Sequence, residues 1–411
     1  MARVFKDDIV VSVDVGTTKI CVIIAKRLGN GDVDLLGIGT VPSIGLKKGV
    51  VVDINKAVTS IRKAIREAEV MAGTMVEQAY VGIAGGHISS LNSQGIVPIK
   101  NGEVSQKDIN TVISAAQAVP IPEDQQILHV LPQYFIVDSR DRVQNPLGMH
   151  GVRLEAQVHI VVGSVASVQD LVKCCQLAGI KVKDIVLEQL ASAEAVLSYD
   201  ERELGVAVLD IGGGTSDLAL YYSGTIRHTR VIPVAGNHFT NDLAVGLHTT
   251  INGAERVKQR YGNLFVSPSD IGKQIQVEHV QGNRYQDVAL KQVQDILKAR
   301  AKELLGIVQK EIVQYNLEHF VTSGLVLTGG GSLLDGFRQL ASESFGMPAR
   351  IGYPKSEDQL PELLESPLYA TGYGLLLHAM KKEKNNMINN LQGPMTYRVF
   401  MRMKSWVSDF F

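Results

Sequence analysis

The apolar positions of this chain form one pattern that occurs twice, far apart. Residues 9–25, IVVSVDVGTTKICVIIA, and 205–222, GVAVLDIGGGTSDLALYY, each hold a β-branched apolar run ending in Asp. A tight turn of glycine and threonine follows, then a second apolar run. That order predicts a strand–turn–strand hairpin in both places. Asp14 aligns with Asp210 and Gly16 with Gly212 at an offset of 196 residues, nearly half the chain. A repeat of that size predicts two related domains, each contributing one hairpin.

Between the hairpins the period changes. DINKAVTSIRKAIREAEVMAG has apolar positions at helical spacing, with Asp53 as its cap and Gly73 as its stop. The stretch from Ala79 to Gly163 then reads strand, strand, helix, strand, strand. Its pieces are QAYVGIAGGHISSLNSQGIVPI, KDINTVISAAQAV, QQILHVLPQYFIVD and EAQVHIVVGS, and they predict an inserted α+β unit. VLEQLASAEAVL (186–197) packs small residues around Glu188. Later, LVLTGGGSLLDGFRQLA (325–341) runs a strand into three glycines and an amphipathic helix.

The turns carry a specific chemistry. Small residues let successive backbone N–H groups converge on an anion, and Ser or Thr hydroxyls add donors. An aspartate at the strand end cannot bind phosphate, but it can hold the hydrated magnesium that accompanies a nucleotide. Two opposed hairpins would grip a triphosphate from both sides, where two unrelated glycine turns would not.

Composition changes this picture little. The 411 residues are 45% hydrophobic and 20% charged with a formal net charge of −1, which gives nucleic acid no electrostatic footprint. The start has a charged pair where a signal peptide needs an apolar stretch, and no run offers the roughly 18 apolar residues of a spanning helix. Three cysteines suit a reducing compartment, and Cys174 and Cys175 read as filler on a helix. The ten histidines lack metal-ligand spacing. NGDVDLLG lacks the late acidic residue of a calcium loop and reads as a hairpin turn.

The end of the chain is unusual. Residues 379–395, beginning AMKKEKNNMINNLQGP, show no apolar period and read as a flexible linker. Residues 396–411, TYRVFMRMKSWVSDFF, hold the single Trp and five of the aromatic residues. On a helical wheel Val399, Phe400, Met403, Trp406, Val407, Phe410 and Phe411 share an arc of about 140°, with Arg402 and Lys404 at its edges. A wide aromatic face edged by cations predicts a helix lying in an anionic membrane surface, and the competing reading is a helix packed on the protein's own body.

Taken in order from Ile9 to Leu377, these elements resemble the actin-type ATPase superfamily, in which two ribonuclease-H-like domains enclose a nucleotide cleft. The resemblance implies ATP and Mg²⁺ as ligands. On it, Asp14 and Asp210 organise the metal through water. Gly16, Thr17, Thr18, Lys19, Gly212, Gly213, Gly214, Thr215 and Gly236 hold phosphates. Glu188 orients the attacking water. Glu255 and Lys258, in GAERVKQRYG, touch the ribose, and Gly330 and Gly331 flank the adenosine. The chain departs from many relatives at Ala235–Gly236, where they have two glycines, and at Gln259, where chaperones have an adenine-stacking arginine.

The inserted unit narrows the resemblance. IAGGHISSLNSQGIVPI, GVRLEAQVHIVVGS, AGNHFTNDLAVGL and AERVKQRYG are similar to the FtsA family of bacterial cell-division proteins. That resemblance implies an actin-like α/β fold with a first domain of residues 1–78 and 166–204 and an SHS2-type insert at 79–165. It implies a second domain at 205–378 with a small lobe near 231–300, then the linker and the amphipathic helix. It also implies a peripheral protein on the cytoplasmic face of the inner membrane at the division site. Such a protein polymerises with itself, takes the C-terminal peptide of FtsZ in the small lobe and recruits later division proteins. It hydrolyses ATP slowly if at all. A pilus-assembly relative shares the core and a similar insert, and the aromatic tail discriminates against it. A sugar kinase would need a sugar-binding motif, and a chaperone a following β-domain; the sequence shows neither.

Overall fold

The computed structural model describes residues 9–28, 33–282, 284–355 and 360–392. The first hairpin is β1 (Ile9–Val15) and β2 (Lys19–Arg27), followed by β3 (Val33–Pro42) and a short ribbon, β4 (Leu46–Lys47) and β5 (Val50–Val51). Helix α1 (Ile54–Ala72) starts where the Asp53 carboxylate accepts the Lys56 N–H at 3.1 Å and ends at Gly73, whose φ of 64° is left-handed. Strand β6 (Gln78–Ile83) follows. The insert comprises β7 (Ser89–Pro98), α2 (Gln106–Ala116), β8 (Gln125–Val137) and β9 (Arg153–Ser164). The chain returns through α3 (Val165–Ala178), β10 (Lys181–Leu187), α4 (Glu188–Val196) and α5 (Tyr199–Leu204).

The second hairpin is β11 (Val206–Ile211) and β12 (Ser216–Tyr222), continued by β13 (Thr225–Ile232). A lobe follows, built from α6 (Gly236–Gly246), α7 (Ile251–Tyr261), the ribbon β14 (Gln274–Glu278) and β15 (Tyr285–Ala289), and α8 (Leu290–Gln314). The chain closes with β16 (Leu325–Thr328), α9 (Phe337–Phe345), β17 (Ala349–Ile351) and α10 (Ala370–Gln392).

The duplication read from sequence extends to topology. One sheet has the order β10-β6-β1-β2-β3 and the other β17-β16-β11-β12-β13, each with an antiparallel hairpin beside parallel strands. Register repeats too, for Asp14 lies opposite Cys21 and Asp210 opposite Asp217. β11 is buried on both faces, which explains its unbroken apolar run: Val206 and Val208 join the core of the first domain, while Ala207, Leu209 and Ile211 join that of the second. Cys174 and Cys175 are fully buried on α3, as filler.

Three boundaries differ from the sequence reading. β6 pairs with β1 and β10, so it belongs to the first domain's sheet, and the insert begins beyond it as a three-stranded sheet ordered β7-β9-β8 over α2. A strand buried on both faces has the same apolar signature in either sheet. α10 packs in the first domain, with Ala370, Tyr373, Leu376 and Ala379 in its core, so residues 370–378 do not belong with the second. That helix also continues through 379–392, where a linker is expected. Lys and Glu are good helix formers, so a stretch without an apolar period is still compatible with helix. Lys381 pairs with Glu194 and Lys382 with Asp184. Residues 393–411, including the whole aromatic tail, lie outside the described residues.

The insert is fastened to the second domain by buried polar groups. Ser90 donates to the Thr229 carbonyl at 3.0 Å, and the Gln133 amide donates to the Ile226 carbonyl at 2.9 Å. The His159 ring bridges Asn92 Oδ1 at 2.7 Å and Thr229 Oγ1 at 2.9 Å. Gln133→Leu leaves buried carbonyls of β13 without their donor, and is expected to destabilise the protein by about 1–3 kcal/mol. Denaturant unfolding checks this; an unchanged midpoint would mean that water takes over these bonds.

Candidate functional site

Both hairpins end at the same place. Asp14 and Asp210, near the last positions of β1 and β11, are 5% and 6% exposed, and the charge of Asp14 bears on Asp210. Glu188, the first residue of α4, stands beside them, next to Gly82 of β6; a Cβ on that glycine would lie 3.2 Å from Glu188 Cγ. Asp217 joins from β12, cross-strand from Asp210 and 3% exposed. Among the described residues one cation answers these carboxylates: Lys19 Nζ lies 3.7 Å from Asp14 Oδ2 and 4.8 Å from the centre of the Tyr369 ring, and it donates to the Leu368 carbonyl.

The electrostatics follow from burial. Asp210 is pushed up to about 6, chiefly by burial and further by Asp14, although a hydrogen bond from Thr371 opposes the shift. Glu188 is held well above the ordinary carboxylate range by burial and then by the charges of Asp14, Asp217 and Asp210. Asp217 is raised by burial and Asp210, and Asp14 by burial against the pull of Lys19. Burial lowers Lys19, but Cys21, Asp14, Tyr369 and Asp210 together hold it above its usual value. Such a cluster favours any cation that enters it. The donor set suits a hydrated divalent ion: these are hard oxygen ligands, and Asp217 Oδ1 is enclosed without a hydrogen-bond partner among the described residues.

The turns between the strands face one another. A Cβ at Gly213 would lie 2.3 Å from Thr18 Cγ2, and one at Gly214 would lie 2.3 Å from Thr17 Oγ1, so only glycines let the loops approach. The N-terminus of α6 abuts the second loop, where the N–H of Gly236 donates to the Gly212 carbonyl at 3.0 Å and that of Asn237 to the Gly213 carbonyl at 2.8 Å. Lys258 is anchored on α7 by Glu255 at 2.8 Å and reaches back to the Gly236 carbonyl at 3.2 Å. Gln259 donates to Glu255 at 2.9 Å. Gly330 and Gly331 lie where β16 ends, beside Leu368 and Ile211 respectively.

Asp14, Glu188, Lys19, Asp210 and the two loops thus converge. Glu255 and Lys258 sit with α6 at the rim, and residues 399–411 are outside the described set. The structure adds three groups. Asp217 carries the signal of a carboxylate inside an apolar strand. Gly329, with φ of 77°, is packed so closely that a Cβ would lie 2.2 Å from Asp210 Oδ1. The start of α10 supplies Thr371, whose hydroxyl donates to Asp210 Oδ2 at 2.9 Å, while the Gly372 carbonyl accepts from Ser12 at 2.8 Å. Nothing in the local sequence places that segment here.

Known proteins agree with this architecture. The chain resembles the PilM component of a PilM–PilN type IV pilus biogenesis complex, with a TM-score of 0.66 at 17% identity over 90% of this chain and 98% of the other. It also resembles MreB 5 of Spiroplasma citri bound to AMPPNP, with a TM-score of 0.57 at 17% identity over 93% and 98%. These likenesses establish an actin-like fold. In sequence, the family model described as cell division protein FtsA matches residues 207–374, and that of the SHS2 domain inserted in FtsA matches residues 85–162. The second range agrees with an insert that starts after β6. The cell division protein FtsA of Pseudomonas aeruginosa is 44% identical over 418 residues, covering 100% of both chains. With its duplicated actin-like core, its insert and relatives matched along the whole length, this chain belongs to the FtsA family of cell-division proteins.

Proposed function

We propose that this protein is an ATP-binding adaptor of cell division. It polymerises on the cytoplasmic face of the membrane, tethers FtsZ filaments there through its C-terminal amphipathic helix, and helps recruit later septum-assembly proteins. The observation that carries the nucleotide part is the convergence of two register-matched hairpins on one cluster of buried carboxylates. Bound Mg²⁺ would supply the positive charge that this cluster lacks. Asp14 and Asp210 hold its water shell, and the loops at 16–18 and 212–215 orient phosphate oxygens with Lys19. Glu188 accepts a hydrogen bond from the attacking water, Glu255 and Lys258 meet the ribose, and Gly330 and Gly331 leave room for the adenosine.

The reading extends to the membrane through α10. Among the described residues no helix is long and apolar enough to cross a bilayer. A single amphipathic tail binds weakly, because partial burial of its apolar face is offset by the cost of ordering it. Many tails on one polymer bind firmly through effective concentration. The FtsZ peptide is assigned to the small lobe on the family resemblance alone.

Co-sedimentation with anionic vesicles tests this reading, using the full chain and a chain ending at Gln392, each with Mg-ATP. The full chain is expected to pellet with lipid and the shorter one to stay soluble, while Mg-ATP raises the melting temperature of both. If both stay soluble, the anchor is wrong; if Mg-ATP stabilises neither, the nucleotide is.

A further inference from the structure

We propose that His129, on β8 of the insert, is a positioning residue for Glu188, acting through the backbone N–H of Leu187. β10 is an edge strand whose one sheet neighbour is β6, so a buried N–H on its other side needs a partner from elsewhere. Leu187 ends β10, is fully buried and forms the N-cap of α4 without any side-chain cap. His129 Nε2 accepts its N–H at 3.0 Å. The next residue is Glu188. The imidazole therefore fixes the strand-to-helix joint on which the Glu188 side chain is mounted, while Gly82 limits that side chain from β6.

The joint is also where three parts of the molecule meet. Around His129 lie Asp184 of β10 and both His378 and Lys382 of α10, with Lys382 Nζ 2.5 Å from Asp184 Oδ2. Burial, then His378, lowers His129 to about 4, so the ring stays neutral with its proton on Nδ1 and Nε2 free to accept. Four residues further along β8, Gln133 holds the insert on β13, and so does His159 from β9. A shift of the insert against either domain therefore reaches the first residue of α4 through one hydrogen bond. The consequence for turnover rests on the nucleotide reading above; the positioning of the joint does not.

The test uses the full chain with His129→Ala and His129→Gln, whose amide oxygen can accept the same bond. Without nucleotide, amide exchange in residues 186–190 is expected to rise about tenfold in the Ala variant, with α1 and α8 unchanged. The Gln variant restores most of the protection. With Mg-ATP, single-turnover hydrolysis falls about tenfold in the Ala variant while affinity stays within about threefold. In a Glu188→Ala background His129→Ala adds nothing. Faster exchange throughout both domains would show a merely structural histidine, and unchanged exchange in 186–190 would overturn the proposal outright. If the parent itself shows no Mg-ATP protection at the two loops, the nucleotide reading fails, and the exchange arm still decides about Leu187.

Discussion

Replacing Asp210 by asparagine is expected to make the nucleotide-free protein more stable near neutral pH and to abolish its stabilisation by Mg-ATP. Asp210 is buried beside Asp14, Asp217 and Glu188, with Lys19 as the nearby cation, and its pKa is pushed up to about 6. A carboxyl raised in this way binds its proton more tightly in the folded chain than in the unfolded one. Its contribution to stability therefore falls as pH rises from about 4 to about 6, and above that the full cost is present. A shift of about two units corresponds to about 3 kcal/mol. Asparagine removes this cost, and its carbonyl oxygen still accepts the Thr371 hydroxyl. The parent should gain about 2.7 kcal/mol from Mg-ATP at a hundredfold excess over its Kd. The variant should gain little, because on the proposed function Asp210 organises the water shell of the bound cation. Thermal unfolding with and without Mg-ATP, near pH 7 and near pH 4, checks both halves. The variant's advantage should shrink toward the lower pH. A variant that is less stable than the parent without nucleotide, yet equally stabilised by it, would mean that Asp210 is structural.

That trade of stability for ligand binding explains which parts of the site were legible in the sequence. Asp14 and Asp210 end runs that are apolar because both faces are buried, so a carboxylate there stands out, and the constant offset of 196 residues marks both as one feature. Asp217 emerges only with register, which sets it opposite Asp210. Thr371 and Gly372 could not be found locally: they reach Asp210 and Ser12 from 161 and 360 residues away. The docking of the insert on β13 was hidden for another reason. Polar side chains at Ser90, Asn92, Gln133 and His159 give no local sign of docking, yet the fold covers the first three with backbone carbonyls of β13 and His159 with the Thr229 hydroxyl. A polar position is a good guide to solvent only when no second domain lies over it. The charged stretch after Ala379 misled in the opposite sense: it shows no apolar period, yet Lys and Glu favour helix and α10 runs on to Gln392.

Two glycine-to-alanine changes inside helices should have opposite signs, and the difference marks the close crossing of α4 and α10. Gly306 lies within α8 with nothing within 4 Å of an added Cβ. Alanine there restricts the unfolded chain and favours the helix, so a gain of about 0.5–1 kcal/mol is expected. Gly374 lies within α10, where an added Cβ would fall 1.8 Å from the Ala191 carbonyl oxygen of α4. The obstacle is backbone and cannot rotate aside. The propensity gain of about 1 kcal/mol is outweighed by an overpacking cost of about 3 kcal/mol or more. The only relief is for α4 and α10 to separate. α4 begins with Glu188, and α10 begins beside Thr371, which holds Asp210. Parting the two helices therefore draws Glu188, the carboxylate proposed to position water, and the Asp210 clasp away from each other. Gly374→Ala should then weaken Mg-ATP binding as well as the fold, whereas Gly306→Ala should leave binding untouched. Unfolding midpoints of both variants, measured with and without Mg-ATP, separate the two effects. If Gly374→Ala proved as stable as Gly306→Ala and bound nucleotide as well, the close crossing of α4 and α10 would not be a fixed hinge, and the link from the cleft into α10 would have to run through another contact.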